Sequence, residues 1–162
     1  MKLPKIQSPV KLIAAVLIAS AAGLIGSIFT SSSVSTWYTT LTKPWFNPPG
    51  WVFGPVWTVL YVLMGISAYL VWIKGFDNKE VKIALGVFGV QLVLNAVWSF
   101  LFFGLQSPFY ALIEIGVLWI AITATMFVFY RINKTAMYLL IPYIVWVSFA
   151  AVLNYSIWIL NI

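Results

Sequence analysis

The chain consists of long apolar stretches separated by short polar connections. Each stretch is close in length to the roughly 20 helical residues that cross the hydrocarbon core of a bilayer. This pattern predicts an all-α integral membrane protein, folded as one domain of five transmembrane helices over residues 1–162. The predicted spans cover residues 10–29, 49–73, 81–103, 108–129 and 136–160.

Prolines mark several of the predicted helix ends. Pro48 and Pro49 lie at the start of the second span and Pro108 opens the fourth, at positions where a backbone N–H is not needed. Pro142 lies inside the fifth span and predicts a kink or a slight break. The first span follows lysines, as in a signal peptide, but it has no clear cleavage site, so we expect it to be retained.

The basic residues predict the orientation of the chain in the membrane. Eight of the nine lie in the N-terminal segment, the second loop and the fourth loop, which share one side. These eight are Lys2, Lys5, Lys11, Lys74, Lys79, Lys82, Arg131 and Lys134. Only Lys43 lies on the other side. The bias predicts a bacterial plasma membrane, with the N-terminus in the cytoplasm and the C-terminus outside.

The composition excludes several classes of chemistry. The chain is 63% hydrophobic and only 7% charged, unlike a soluble domain. It contains no Cys and no His, which excludes disulfides, Cys/His zinc sites, a Ser–His–Asp triad and His- or thiolate-ligated haem. The net charge of +6 is scattered over the connections, so we expect no nucleic-acid partner. No metal site is predicted and no cofactor is required.

One connection, residues 30–47, is long and carries Trp37 and Tyr38. Long ordered loops in compact domains are commonly lids or binding loops, so we expect this loop to close over a ligand. Trp45 and Trp51 lie close to a span end, where an interfacial aromatic belt explains them equally well.

Three predicted helices carry aromatic and hydrogen-bonding residues on one face. These residues recur three or four positions apart, which places them on the same side of a helix. They are Trp57, Tyr61 and Met64 on the second helix, Gln91, Asn95 and Trp98 on the third, and Tyr143, Trp146, Ala150 and Asn154 on the fifth. Taken singly, the polar residues are explained by hydrogen bonds between helices. Together, the three faces favour a pocket for a flat, largely apolar ligand.

Two further features of the spans each have two interpretations. Glu114 is the only acidic residue in a predicted span, which indicates either a proton or polar site or a structural hydrogen bond. The first span carries small residues four positions apart, which favours packing inside the bundle over a dimer seam. These small residues are Ala15, Ala19, Gly23 and Ser27.

Short motifs from Trp37 nearly to the C-terminus are similar to those of one known family. They include Trp37-Tyr38, Lys43-Pro44, Asn47-Pro48-Pro49, Pro55-Val56-Trp57, Leu94-Asn95, Phe102-Phe103-Gly104, Pro142-Tyr143 and Leu153-Asn154-Tyr155. With these motifs the chain resembles the translocator protein family, also called tryptophan-rich sensory protein or peripheral-type benzodiazepine receptor. The first span contributes little to the resemblance.

The resemblance implies a five-helix bundle, usually a homodimer, whose ligand cavity is closed by the first loop. It implies binding of porphyrins such as protoporphyrin IX, and Lys43 is a candidate for contacting the porphyrin carboxylates. The pocket positions of the family correspond here to Trp57, Asn95, Trp98, Tyr110, Trp146, Ala150 and Leu153. With Trp37, Tyr38, Lys43 and Tyr61 from the chain pattern, these are the expected ligand-binding residues.

Three functions remain open at this point. The first is porphyrin binding with a sensory, scavenging or transport role. The second is an enzyme-like, light-dependent porphyrin breakdown, because Trp57 and Trp146 match the tryptophans linked to that reaction in bacterial relatives. The third is a small proton-coupled exporter that uses Glu114. A sterol role is disfavoured, because no Lys or Arg follows Tyr155 to complete the cholesterol motif.

Overall fold

The computed structural model describes residues 7–162, and in that range the chain forms helices and short connections without any strand. Lys2 and Lys5, which the orientation prediction uses, lie outside the described residues. The elements are α1 (Pro9–Ser33), α2 (Trp37–Thr40), α3 (Gly50–Trp72), α4 (Lys79–Ser99), a π-helical turn (Phe100–Gly104), α5 (Pro108–Ile132), α6 (Lys134–Leu139) and α7 (Ile141–Leu160).

The five predicted spans are confirmed. They correspond to α1, α3, α4 with the π-helical turn, α5, and α6 with α7. Helix α1 ends four residues, and α5 three residues, beyond the predicted end of its span. The end of α1 extends into a polar run, where Thr30, Ser31 and Ser32 each donate a hydrogen bond to a carbonyl of their own helix. Polar side chains that are satisfied in this way continue a helix without exposing unpaired groups.

Side-chain caps define where several helices begin. The side chains of Ser8, Asn78, Ser107 and Asn133 each accept a hydrogen bond from a backbone N–H in the first turn of the following helix. Such caps satisfy donors that have no partner within the helix. Prolines follow two of these caps, as the sequence predicts for the fourth span.

The fifth span is broken, as Pro142 predicts. Helix α6 ends at Leu139 and α7 begins at Ile141, which places Pro142 in the first turn of α7, where its missing N–H is tolerated. The hydroxyl of Ser67 on α3 donates to the carbonyl of Ala136 over 2.6 Å and joins α6 to α3.

The π-helical turn at the end of the third span was not predicted. Leu105 N–H donates to the carbonyl of Phe100 over 2.8 Å, a five-residue spacing that widens the last turn. This turn presents Phe102 and Phe103 to the first loop, where Trp37 and Tyr38 pack against them.

The spans form a closed ring. Helix α1 packs against α3 and α4, α4 packs against α5, α5 packs against α7, and α6 completes the ring by packing against α3. Ala15 and Ala19 of the small-residue stripe are buried inside this ring. At Gly23 an added Cβ would collide with the ring of Tyr61. These three residues therefore pack within the bundle, as the packing interpretation predicts.

The two ends of the bundle are distinct. At one end Gln7 N–H donates to the Tyr69 hydroxyl over 3.0 Å, and Lys11 lies 5.6 Å from the Trp72 ring. At the other end Thr42 of the first loop pairs with Asn161 beyond α7. We refer to these as the basic end and the loop end. Which of them faces the cytoplasm stays a prediction.

Candidate functional site

A cavity of about 720 Å³ lies inside the ring at the loop end. Its volume falls in the range of pockets that hold drug-sized ligands, roughly 300–1,000 Å³. The cavity wall brings together most of the side chains that the sequence nominated. These are Tyr38, Trp57, Tyr61, Asn95, Trp98, Trp146, Ala150 and Leu153.

Indole rings on three different helices form much of the wall. Trp57 stacks on Tyr61 with ring centroids 5.4 Å apart. Trp98 stacks on Phe102 at 5.1 Å. Trp146 meets Phe53 edge-on at 5.9 Å. Each tryptophan is held by a second aromatic ring, so the wall is a preformed aromatic surface.

A chain of hydrogen bonds closes the floor of the cavity. The Tyr61 hydroxyl donates to Asn95 Oδ1, and Asn95 Nδ2 donates to the Tyr143 hydroxyl over 3.1 Å. The Tyr143 hydroxyl then donates to Gln91 Oε1 over 2.9 Å. Gln91 and Tyr143 are almost fully buried, whereas Tyr61 and Asn95 also line the cavity. This series of hydrogen bonds therefore joins α3, α4 and α7 and presents polar atoms to a ligand.

Asn154 fixes the orientation of Trp98. Its Oδ1 accepts from Trp98 Nε1 over 3.1 Å, and its Nδ2 donates to the carbonyl of Pro108 over 2.8 Å. Asn154 also lines the cavity. Asn95 and Asn154 thus serve both interpretations of the sequence, because each joins helices and each borders the cavity.

The first loop covers the cavity through Tyr38. The Tyr38 hydroxyl donates to Asn47 Oδ1 over 2.9 Å, and burial raises the pKa of Tyr38 above its ordinary value. Trp37 packs edge-on against Phe102 at 5.6 Å but does not itself reach the cavity wall. Thr42 ties the loop to Asn161 by two hydrogen bonds of 2.9 Å.

Two other predicted residues lie outside the wall. Lys43 Nζ donates to the carbonyl of Leu41 over 3.0 Å and lies 4.7 Å from the Tyr38 ring. Its ammonium group therefore contacts the Tyr38 ring. Tyr110, which was carried over from the family, lies in the first turn of α5 with 59% of its surface exposed, against Phe109. The structure does not bring Tyr110 to the cavity.

Residues 14–159 match the model of the TspO/MBR family. The chain belongs to the TspO/MBR family. It is 48% identical to the tryptophan-rich protein TspO of Chlorobaculum tepidum over 87% of this chain and 89% of that protein. It is 47% identical to tryptophan-rich protein TspO of Archaeoglobus fulgidus, over 93% of this chain and 97% of the relative. It is 40% identical to the translocator protein of Homo sapiens, over 83% of this chain and 80% of that protein.

Family membership confirms the resemblance seen in the motifs and supports a sensory or transport role in a membrane. Together with the five spans, it identifies an integral membrane protein. The matched residues include all of the cavity wall, so the site belongs to the part of the chain that defines the family.

The contribution of α1 to the cavity of this TspO/MBR member was not predicted from the sequence. Small and polar residues of α1 line it, and α3 and α5 add further residues. These additional lining residues include Ser20, Gly23, Ser27, Thr30, Ser31, Gly54, Thr58, Ile115 and Leu118. A signal was present, because serines and threonines recur along one side of α1. The small-residue spacing was interpreted only as helix packing, either inside the bundle or at a dimer seam.

Glu114 lies near this cavity without lining it. It is buried, and within the described residues neither carboxyl oxygen has a hydrogen-bond partner. Its neighbour Ile115 does line the cavity. The structural hydrogen bond that the sequence allowed is therefore not made. Residues 7–162 also contain no group of three acidic, His or Cys side chains that are placed to hold a metal ion.

Proposed function

We propose that this TspO/MBR member binds a porphyrin of the protoporphyrin IX type, or a similar flat apolar molecule, inside the aromatic cavity. Binding would serve a sensory, scavenging or transport role. The observation that supports this most is the preformed wall of Trp57, Trp98 and Trp146 around about 720 Å³ of space. A flat macrocycle gains stacking on such rings. The polar atoms of Tyr61 and Asn95 at the floor then orient it.

The direct test is a titration of the detergent-purified protein with protoporphyrin IX in the dark, read by quenching of tryptophan fluorescence. We expect saturable quenching, and about fivefold weaker binding in Trp57→Phe and Trp146→Phe, because each loses about 1 kcal/mol of stacking. Trp45→Phe is the matched control, since Trp45 is 95% exposed outside the cavity. Absence of saturable binding would refute the porphyrin assignment.

We also propose that Lys43 interacts with the carboxylates of the bound porphyrin from the rim of the cavity. Its Nζ lies beside the covering residue Tyr38, at the loop end. Lys43→Ala should weaken binding of protoporphyrin IX but not of its uncharged dimethyl ester. Equal affinity of the variant and the wild type for the free acid would contradict this role.

Light-dependent porphyrin breakdown is a second candidate, because Trp57 and Trp146 both line the same cavity. Such an oxidation consumes dioxygen, so illumination in air should reduce the porphyrin absorbance faster with protein than without it. Trp57→Phe or Trp146→Phe should abolish that acceleration, and removal of oxygen should stop the reaction. Equal loss in wild type and variants would leave binding as the function.

A proton-coupled exporter is less well supported. The observation in favour of an exporter is that the buried carboxyl of Glu114 has no hydrogen-bond partner within the described residues. That side chain does not line the cavity, however. An exporter of this kind would lose transport in Glu114→Gln while it retained porphyrin binding. Unchanged efflux in Glu114→Gln would remove this candidate.

The orientation proposed from the basic residues places the loop end outside the cell. The chain has no cysteine, so single introduced cysteines report the side directly. Thr42→Cys should react with a membrane-impermeant maleimide in intact cells, whereas Lys74→Cys should react only after permeabilisation. Thr42 holds Asn161 through backbone atoms alone, so the substitution preserves that contact. The reverse labelling pattern would reverse the orientation.

A further inference from the structure

The seam between α1 and α3 is tight near the middle of the bundle. A Cβ added at Gly65 would collide with the backbone of Val16 on α1. About two turns further along α1 towards the loop end, a Cβ added at Gly23 would collide with the Tyr61 ring. The two helices therefore touch closely along this half of the seam.

Towards the loop end the same seam opens. A Cβ added at Gly54 or at Gly50 would meet nothing within 4 Å, yet both glycines line the cavity. On the opposite helix Leu24 also lines the cavity while 68% of its surface is exposed. A residue that borders the cavity and is also exposed on the bundle lies at an opening.

The seam has no polar closure at this level. The hydroxyls of Ser27, Ser31 and Thr58 donate to carbonyls of their own helices. In the described part of the chain, hydrogen bonds between α1 or its cap and α3 occur only at the basic end, where Gln7 and Ser8 contact Tyr69. Because the hydroxyls are already satisfied, the edges of the opening present small, effectively apolar surfaces.

The outer edges of the opening are continuous with exposed apolar residues, as expected of a face in contact with lipid. Ile28 on α1 and Val59 on α3 are 66% and 58% exposed. On α1 the edge of the opening runs from Leu24 to Ser31, which is about 10 Å of helix at 1.5 Å per residue. At the loop end Tyr38 lines the cavity, and the Thr42–Asn161 pair ties the same loop to the end of α7.

We propose that this opening, the α1–α3 portal, is the route by which ligands dissolved in the membrane enter and leave the cavity. It is defined by Leu24, Ser27, Ser31, Gly50, Gly54 and Thr58. The portal selects molecules that partition into the bilayer with a flat apolar body. That a porphyrin takes this route rests on the function proposed above. Molecules confined to water are excluded by the loop.

Gly54→Leu is the variant that narrows the portal. The position is open, and leucine is a better helix former than glycine, so the variant should fold. Gly86→Leu is the matched control, because Gly86 on α4 has equally open surroundings and does not line the cavity.

The first measurement needs no porphyrin. A single cysteine at Ala150 in the cavity wall is labelled in phosphatidylcholine nanodiscs by a maleimide dissolved in the bilayer. We expect Gly54→Leu to slow this labelling about tenfold, because the added side chain raises the barrier to passage. Gly86→Leu should leave the rate unchanged. Equal labelling rates in the parent protein, Gly54→Leu and Gly86→Leu would overturn the portal. Labelling that is faster with a water-soluble, membrane-impermeant maleimide than with the maleimide dissolved in the bilayer would also overturn it.

The second measurement follows association and release of protoporphyrin IX in the same nanodiscs. Gly54→Leu should slow both, since a narrower passage raises the same barrier in each direction. Weaker binding with unchanged association would mean that Gly54 contacts the ligand instead of gating it, and would overturn the proposal. Slowed cysteine labelling together with no porphyrin binding by the wild type would support the portal and refute the porphyrin function.

Discussion

The basic end and the loop end of the bundle are built from similarly apolar helices but pack in opposite ways. At the basic end, small residues such as Ala68, Ala84 and Ala136 are buried, and Phe88 stacks on Phe129 at 5.7 Å. At the loop end, indole and phenol rings stand around a cavity. Small side chains let helices approach, whereas large rigid rings pack against one another and leave space between them.

Glycines on α3 show the same contrast. Gly65 brings the backbone of α1 into direct contact, and Gly54, three turns away, leaves the seam open. A glycine therefore allows a tight helix contact where backbone of the neighbouring helix lies opposite, and leaves a gap where nothing lies opposite. The difference teaches that the cavity results from the distribution of side-chain size along the spans rather than from their hydrophobicity.

The largest expected effect is at the tight contact. Gly65→Ala places a Cβ against the backbone of Val16, which cannot move aside like a flexible side chain. We expect a loss of about 3 kcal/mol in stability, at the upper end for an overpacked core. Gly54→Ala should cost nothing. Thermal unfolding in detergent, followed by size-exclusion chromatography, measures both, and equal melting temperatures would contradict the contrast.

The second largest loss of stability is expected at the hydrogen bonds that close the floor of the cavity. Tyr143→Phe removes the hydroxyl that links Asn95 to Gln91, and it leaves a buried donor and a buried acceptor unpaired. We expect a loss of about 2 kcal/mol, the cost of unsatisfied buried polar groups. Tyr155→Phe is the control, because Tyr155 is 51% exposed. A loss of stability equal to that of the control would mean that the hydroxyl chain does not hold the helices together.

A smaller loss is expected where Asn154 orients an indole. Trp98→Phe keeps an aromatic ring beside Phe102 but loses the hydrogen bond to Asn154 Oδ1. We expect about 1 kcal/mol of lost stability, the net value of one hydrogen bond. Trp119→Phe is a control of the same type, since its bond to Ser148 is exposed. A larger loss in Trp119→Phe would reverse the order.

An effect of similar size but opposite sign is expected at Glu114. Glu114→Leu removes a buried carboxyl that has no hydrogen-bond partner in the described chain. We therefore expect a gain of about 1 kcal/mol in stability. A lower melting temperature of this variant would show that the carboxyl group is engaged in the folded protein.

The helices were predictable because lipid imposes a simple local rule. A spanning segment must satisfy its own backbone hydrogen bonds and expose apolar side chains, so the hydropathy of about 20 residues identifies it. The break before Pro142 followed from the same local chemistry. The π-helical turn at Phe100 did not, because a one-residue shift of the hydrogen bonds leaves no mark on an apolar sequence.

The site was predictable in part. Trp57, Asn95 and Trp146 were nominated by helical spacing or by resemblance, and they meet at the cavity. The positions of Lys43 and Tyr110 could not be derived in this way, because the direction of a side chain at a helix end or in a loop depends on its neighbours. The contribution of α1 to the cavity was not predicted, because small residues occur both at tight helix contacts and at openings between helices.

The sequence by itself determined that the chain is a five-span membrane protein of a known family, because hydropathy and motifs are properties of contiguous residues. Only the tertiary structure decided which small residues pack and which border an opening. It also decided which aromatic faces enclose a cavity. These outcomes depend on the shape of the surface opposite, and that surface comes from residues far away in the chain.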